Sequence, residues 1–368
     1  MRILITSGIY PPDIGGPATY VPQLAADLIT NGHSVEIITL GESNLIEQKS
    51  NLQLRVIRRA QPKLLRTFKV ILQVLKSMRK SDAIFSNGLF PETAFSLCFN
   101  RKLKAVAKIV GDPVWEKARN QKKTGFTLVE FNNSKLELKS RIYQVVFKWS
   151  WNRFQILTCP SLELVNYLHK LNVTPQIICI QNGVDINKSI LTNDKEYDLL
   201  CVARLVTWKN IDHVIIAASK LHLRLAIIGS GPEEGALKEL AASLNSMTKF
   251  YGQRSKEQVN EIMRKSKIFV QISDYEGLSF SLLEAMSLGL VPIVSANDGN
   301  KSVIVDYVNG VIVPVNLNAL ESAISICLAD NHLFNKLATS ARQTVLQKFN
   351  GIDRRKEMIN LITSSSHE

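Results

Sequence analysis

The chain has 368 residues, 45% of them hydrophobic, and carries a net charge of +13, with a mean hydropathy of +0.03. That length exceeds one ordinary core and implies two domains, while no apolar run reaches the roughly 18 to 20 residues of a membrane span. Through residue 187 there are 25 Lys and Arg against 13 Asp and Glu, and afterwards 20 against 19, so only the first half attracts an anionic partner: a membrane surface, nucleic acid or a phosphorylated substrate.

The opening strand pattern "RILIT", with no signal-type segment at "MRILIT", points to a cytoplasmic protein. The turn "SGIYPPDIGGPATYV" follows it. Gly15 and Gly16 there precede a helix expected from about Pro17, and bare N–H groups at a helix start seat an anion. An ordinary strand-to-helix turn has the same appearance. "SVEIITL" and "LQLRVI" read as further strands. In the helical stretch "LLRTFKVILQVLKSMRK", Leu64, Leu65, Phe68, Ile71, Leu72, Leu75 and Met78 form one stripe, expected to pack on the sheet. "DAIFSN" and "KAVAKIV" are strands. "LKSRIYQVVFKWSWNRF" repeats the helical pattern, with Leu138, Ile142, Val145, Val146 and Trp149 alternating with cations, and the same packing is expected of it. Cations on the outer faces would then be left to rest on anionic lipid, each worth about 1 kcal/mol near such a surface. "FQILTC" and "QIICI" close the first set of strands.

The polar, turn-rich "NGVDINKSILTNDKEYD" places a boundary near residues 186 to 197. "YDLLCVA" then leads to "CVARLVTWKN", where Arg204 lies just past a strand and Lys209 at the next helix start. Two cations so placed suit a diphosphate, although a solvated surface pair fits the spacing equally. After "LRLAIIG", Gly229 and Gly231 open a helix, but Gly235 is one place late for G-x-G-x-x-G and no acidic ribose partner follows, which argues against an NAD enzyme. "KFYG" and "KIFVQIS" come next. The latter runs into "DYEGLSFSLLEAMSLG", with Glu276 in the turn and Glu284 inside a helix beginning near Ser279. The N–H groups of Gly277, Leu278 and Ser279 favour an anion, whereas two carboxylates beside an anion act as acceptors for sugar hydroxyls. Acidic capping of the helix explains Glu276 but poorly explains Glu284. "VPIVSA" and "GVIVP" are the last strands, and "NGIDRRKEMINLI" reads as a final helix.

Strands alternating with helices twice over give an α/β fold of two parallel, doubly wound sheets, with ligands expected outside the carboxyl ends of the strands in a cleft between the domains. The five cysteines are far apart and expected to be buried, reduced thiols. Six histidines without ligand spacing, and no evident carboxylate pair for Mg²⁺, lead to the expectation of neither metal nor cofactor.

The whole chain resembles a retaining glycosyltransferase of the GT-B fold, family 4, of the kind that assembles bacterial O-antigen, capsule and exopolysaccharide. The resemblance rests on the E-x7-E motif "EGLSFSLLE" with "AMSLGLVPIVS", together with "ARLVTWKN", "IGSGPEEGALKELA", "NGVD" and "DIGGPATYV". It implies an acceptor-side domain at 1–186, a nucleotide-sugar domain at 187–348, and a helix at 349–368 returning to the first. Arg204 and Lys209 would hold the donor diphosphate, Glu276 the donor sugar and Glu284 the ribose. Gly16, with Gly15, would approach the phosphates, Gly231 would lie in the donor site, and Arg254 would touch the base. "GDPVWEKA" resembles a variant of the loop near the donor sugar, which assigns Asp112 to the reaction centre. A helix N-cap ahead of Pro113 explains Asp112 as well. Ala203 and Asn210 replace two usual glycines without removing a charge.

The implied reaction moves a hexosyl group, with retention, from a nucleotide-diphosphate sugar to a glycan or lipid-diphosphate acceptor. Positive groups stabilise the leaving diphosphate, a phosphate oxygen takes the acceptor proton, and neither base nor metal is required. A glycosidase would use two carboxylates but has no need of an anion seat. No nucleic-acid-binding module accompanies the basic half, so no nucleic acid is expected. A catalytically silent nucleotide-sugar sensor of the same fold has the same sequence signature.

Overall fold

The computed structural model describes every residue except Ile14, Lys122, Lys123, Thr127, residues 187–194 and residues 365–368, and the Val129 side chain. The chain divides into two compact units. The first comprises residues 1–114, 135–180 and 354–368, the second residues 115–134 and 181–353. The boundary expected at 186–197 lies mostly outside the described residues. Three segments group differently from the expected division: residues 115–134, 181–186 and 349–353 belong with the second unit, the first of them because aromatic and charged side chains bind it there, as detailed below.

Among the described residues the first unit holds an eight-stranded sheet. Its strands are β1 (Arg2–Ser7), β2 (Ser34–Gly41), β3 (Leu45–Lys49), β4 (Leu52–Arg58), β5 (Ala83–Asn87), β6 (Lys104–Lys108), β7 (Ile156–Cys159) and β8 (Gln176–Cys179), in the order β3-β4-β2-β1-β5-β6-β7-β8. β1, β5 and β6 are buried on both faces, as helix-covered parallel strands must be. The expectation of a purely parallel sheet fails at one edge, where β3 pairs antiparallel with β4. β3 is exposed at all five positions, so no buried period marked it in the sequence. At the carboxyl ends of β1 and β5 the loops touch through backbone, since a Cβ on Gly88 (φ 132) would stand 2.5 Å from the Gly8 nitrogen. Thr6 donates to Ser86 at 2.9 Å beneath that contact.

The two helical stripes are a correction. In the helix Lys63–Met78 the buried positions are Val70, Val74, Ser77 and Met78, while Leu64, Leu65, Phe68 and Leu72 stand exposed. In Leu138–Trp151 the buried residues are Ser150 and Trp151, and Leu138, Ile142, Val145 and Val146 are exposed. In the first helix the buried row is Val70–Val74–Met78, so that of the predicted stripe Met78 is buried, Ile71 and Leu75 are half-buried, and Leu64, Leu65, Phe68 and Leu72 lie outside.

The second sheet contains β9 (Tyr197–Val202), β10 (Leu225–Ile228), β11 (Thr248–Phe250), β12 (Ser266–Gln271), β13 (Val291–Ser295) and β14 (Val311–Val313), all parallel, in the order β11-β10-β9-β12-β13-β14. Alternate residues feed two cores. Leu199, Cys201, Ile227 and Val270 face one, and Leu200, Ala226, Ile228 and Phe269 face the other. From Arg354 onward the chain belongs to the first unit, where Arg355 donates to Asp27 at 2.5 Å and Lys104 to the Ser364 carbonyl at 2.5 Å. All five cysteines are free thiols. Cys159, Cys201 and Cys327 are buried as expected, and Cys98 and Cys179 are half-buried. Among the described residues no helix is long and apolar enough to cross a membrane.

Candidate functional site

In an open doubly wound sheet, ligands bind outside the carboxyl ends of the strands where the order reverses. In the second unit that point lies between β9 and β12. The loop after β9 carries Arg204, and the short turn Thr207–Lys209 carries Lys209. This loop is fastened through backbone: Leu205 donates to the Ser230 carbonyl at 3.0 Å, and Glu233 to the Leu205 carbonyl at 3.1 Å. Only glycine fits opposite it, because a Cβ on Gly231 would lie 2.2 Å from the Leu205 carbonyl oxygen. Gly231 thus sets the Arg204 loop whatever else it touches. Arg204 is exposed, and no hydrogen bond or ion pair joins its side chain to another described residue. The next loop is tied in by Gly229, which donates to the Gly252 carbonyl at 2.9 Å. Two residues on, the Arg254 guanidinium lies 5.8 Å from the Tyr251 ring centroid.

Glu276, in the loop after β12, is buried and accepts from Lys209 at 2.5 Å. Its backbone is pressed by Gly299, whose Cβ would meet the Glu276 carbonyl oxygen at 1.9 Å. Asn182, in the "NGVD" segment, donates to the Leu278 carbonyl at 2.8 Å and fixes the Gly277–Leu278–Ser279 turn. Ser279 caps the helix Phe280–Ser287, accepting from the Leu282 N–H at 3.2 Å. Within that helix burial raises the Glu284 carboxyl above the ordinary glutamate range, Lys256 opposes the shift and Asp185 adds to it. Lys256 is 3.9 Å away. The two glutamates therefore differ: Glu276 holds its cation at 2.5 Å, whereas Glu284 has its cation at 3.9 Å and a burial that favours the protonated form.

Several residues that sequence reasoning passed over hold this geometry. Trp115 is fully buried, with Trp208 and Tyr275 at centroid distances of 5.6 and 5.4 Å, and its indole donates to the Phe126 carbonyl at 2.9 Å. Arg119 forms an ion pair with Asp274, and Asn210 donates to the same carboxylate at 2.8 Å. Lys209 lies between Trp208 and Asn210, and Glu276 follows Asp274 and Tyr275, so segment 115–134 grips the flanks of both charged residues. These partners lie far apart in the chain. The signal available was "W" and "R" on one face of a short amphipathic helix beginning at Pro113, and "NDGN", another glycine turn after a strand.

Asp112, Gly15 and Gly16 are on the first unit. Asp112 is buried, accepts from the Val114 N–H at 2.6 Å and takes a bond from the Tyr167 hydroxyl, the geometry of a helix cap. Gly15, at φ 152, precedes the helix Gly16–Thr30.

Two Rossmann-like units, one with a cationic and acidic loop cluster at its switch point, define the GT-B class. Solved structures of that class match over nearly the whole chain. Sucrose-phosphate synthase from Thermosynechococcus elongatus superposes with a TM-score of 0.80 at 19% identity, covering 98% of each chain. An Anabaena protein solved with UDP-glucose gives 0.78 at 16% identity, covering 99% of this chain and 100% of that one. The family description "Glycosyltransferase Family 4" matches residues 14–188, and "Glycosyl transferases group 1" matches residues 185–344. The chain is also 24% identical to an uncharacterized glycosyltransferase of Methanocaldococcus jannaschii, over 98% of this chain and 97% of the relative. The protein belongs to the group 1 glycosyltransferases.

Proposed function

We propose that this glycosyltransferase moves a hexosyl group from a nucleotide-diphosphate sugar to a glycan or lipid-diphosphate-linked acceptor, with retention of configuration and without a metal. The observation that carries the reading is the Lys209–Glu276 pair at the β9/β12 switch point, flanked by the uncovered Arg204 and the half-buried Glu284. A diphosphate entering there offers Lys209 a doubly anionic partner and draws it from Glu276. The freed carboxylate then accepts hydroxyl hydrogens from the sugar.

As the anomeric bond breaks, charge builds on the leaving diphosphate. Arg204, Lys209 and the N–H groups of Gly277, Leu278 and Ser279 are its stabilisers in this reading: the Gly231 and Asn182 contacts fix their loops beforehand, and the Lys209 ammonium has only to turn from Glu276. Glu284 receives the ribose hydroxyls, and Arg254 meets the base. Gly15 and Gly16 are assigned to the donor phosphates and Asp112 to the reaction centre on the resemblance alone. The bonds of Asp112 to the Val114 N–H and the Tyr167 hydroxyl must loosen before it touches a sugar. Retention follows from the likeness to retaining members, with a phosphate oxygen taking the acceptor proton. The Anabaena structure contains UDP-glucose, which makes UDP the first base to try. Residues 1–186 serve the acceptor, and the protein acts in the cytoplasm, peripherally on the inner membrane.

A thermal-shift panel of UDP-, GDP- and ADP-sugars, run on the wild type and on Glu284→Ala, tests the donor assignment. One nucleotide is expected to stabilise the wild type and not the variant. Protection of neither protein by any donor refutes it. Donor turnover with acceptor present, unchanged by EDTA, separates the enzyme from a silent sensor of the same fold.

A further inference from the structure

We propose that three neighbouring helices of the first unit form a surface that inserts into the interfacial layer of an anionic lipid bilayer. The helices are Lys63–Met78, Phe90–Leu97 and Leu138–Trp151, the second packed against both others. The outer two are also bridged directly, since Lys63 donates to the Tyr143 hydroxyl at 2.9 Å and its ammonium lies 4.7 Å from that ring centroid. Across this continuous face Leu64 is 86% exposed, Phe68 58%, Phe99 68%, Leu138 75% and Ile142 56%. Phe95 and Phe99 pack against each other with tilted rings, centroids 5.7 Å apart. Single exposed apolar residues are ordinary, whereas a contiguous cluster of large ones marks an interaction surface.

Charge decides what covers it. The helices Lys63–Met78 and Leu138–Trp151 contain seven Lys and Arg and no Asp or Glu, and the middle helix has the single acid Glu92, which accepts from Thr67 at 3.2 Å. Lys69, Lys76, Lys139 and Arg141 are exposed beside the apolar rows. A second copy docked on the same face by a two-fold axis would bring these cations against their own equivalents. An apolar protein partner gives them nothing to pair with. A bilayer bearing anionic headgroups satisfies both parts at once: acyl chains receive the leucine and phenylalanine side chains, and lysine and arginine stems lie flat with their charges among the phosphates. The row that the sheet left uncovered is thereby accounted for. This deepens the peripheral-membrane reading above, and it does not depend on the assignment of any donor residue.

The test is co-sedimentation of the full chain with vesicles of phosphatidylcholine alone or mixed with phosphatidylserine. The wild type is expected to pellet with the mixed vesicles and far less with the neutral ones. Combined Leu64→Ser, Phe68→Ser and Ile142→Ser should lower partitioning about tenfold or more, and Lys69→Gln with Arg141→Gln about fivefold per charge. High salt should abolish the cationic share and leave the apolar share. The thermal midpoint and its shift by nucleotide sugar are read on every variant, so a folding defect or a failed donor site shows separately. Binding that is absent, indifferent to the apolar substitutions, or equal on neutral vesicles overturns the proposal. A concentration-dependent dimer that the serine variants dissociate overturns it as well, by assigning the face to a second copy.

Discussion

The two units share one architecture and differ in what they do with their surfaces. In the second, strands alternate residues into two covered cores, and the charged residues of the switch point are locked in ion pairs and backbone-fastened loops. In the first, the strand interior is as well buried, yet three helices turn leucine, isoleucine and phenylalanine outward among cations. Apolar helix rows outnumber the sheet faces that can receive them. Packing explains the inward rows, and the outward rows are the ones that the proposal above gives to a lipid surface.

The sharpest way to break the comparison is to attack the locked side. In the proposed reading Lys209→Ala removes a cation from the leaving group, and it leaves Glu276 buried without its partner. A loss of about 10² to 10³-fold in kcat is expected, measured by nucleotide release, while no change would remove the pair from catalysis. Next comes Arg119→Ala, which strands Asp274 beside the Glu276 loop. It should cost about 2 kcal/mol in chemical denaturation and lower kcat more than it alters KM, with Arg119→Lys recovering part of both. A pure stability effect with unaltered kcat would reduce segment 115–134 to scaffolding.

The first unit has a buried charge of the opposite kind. The Lys108 ammonium is fully buried, 4.6 Å from the Tyr20 ring centroid, and lacks a hydrogen-bond partner among the described residues. Burial pushes it from an ordinary 10.5 down to about 8. The unfolded chain therefore binds more protons between those values, and wild-type stability should rise with pH across that window. Lys108→Met should gain on the order of 2 kcal/mol at neutral pH, with the advantage fading above pH 8 and gone beyond 10.5. A gain independent of pH would contradict the cause given.

For Glu284 the shift runs upward, so the folded protein holds the proton more tightly and ligand-free stability should fall as pH rises from the ordinary glutamate value through the raised one. Glu284→Gln should be the more stable protein at neutral pH, match the wild type in acid, and lose protection by nucleotide sugar. The smallest effect is expected of Phe68→Ser, within about 0.5 kcal/mol of wild type. A large loss there would mean that the exposed row is packed in solution.

Strand periodicity and glycine turns placed most of the fold, since buried parallel strands such as "AIFSN" admit few other readings. β3 escaped because an edge strand exposed on both faces carries no pattern. The helical rows were assigned to the wrong side because amphipathicity identifies an apolar row but does not say which of two rows meets the sheet. Arg204, Lys209 and Glu276 stood out as charges beyond strand ends, and Glu284 by its spacing from Glu276. Trp115, Arg119 and Gly299 did not, because their importance lies in a partner distant in the chain: Asp274 is 155 positions from Arg119.

One contact has a practical consequence. Val184 accepts from Gly351 at 2.9 Å and donates to the Phe349 carbonyl at 2.9 Å, while a Cβ on Gly183 would stand 2.8 Å from the Asn350 carbonyl oxygen. Entry to and exit from the long C-terminal segment are thus stapled side by side, as at the neck of a cassette. A chimera can be spliced at that neck, provided residues 115–134 travel with the graft. Left behind, they would be replaced by a foreign strap against Trp208 and Tyr275.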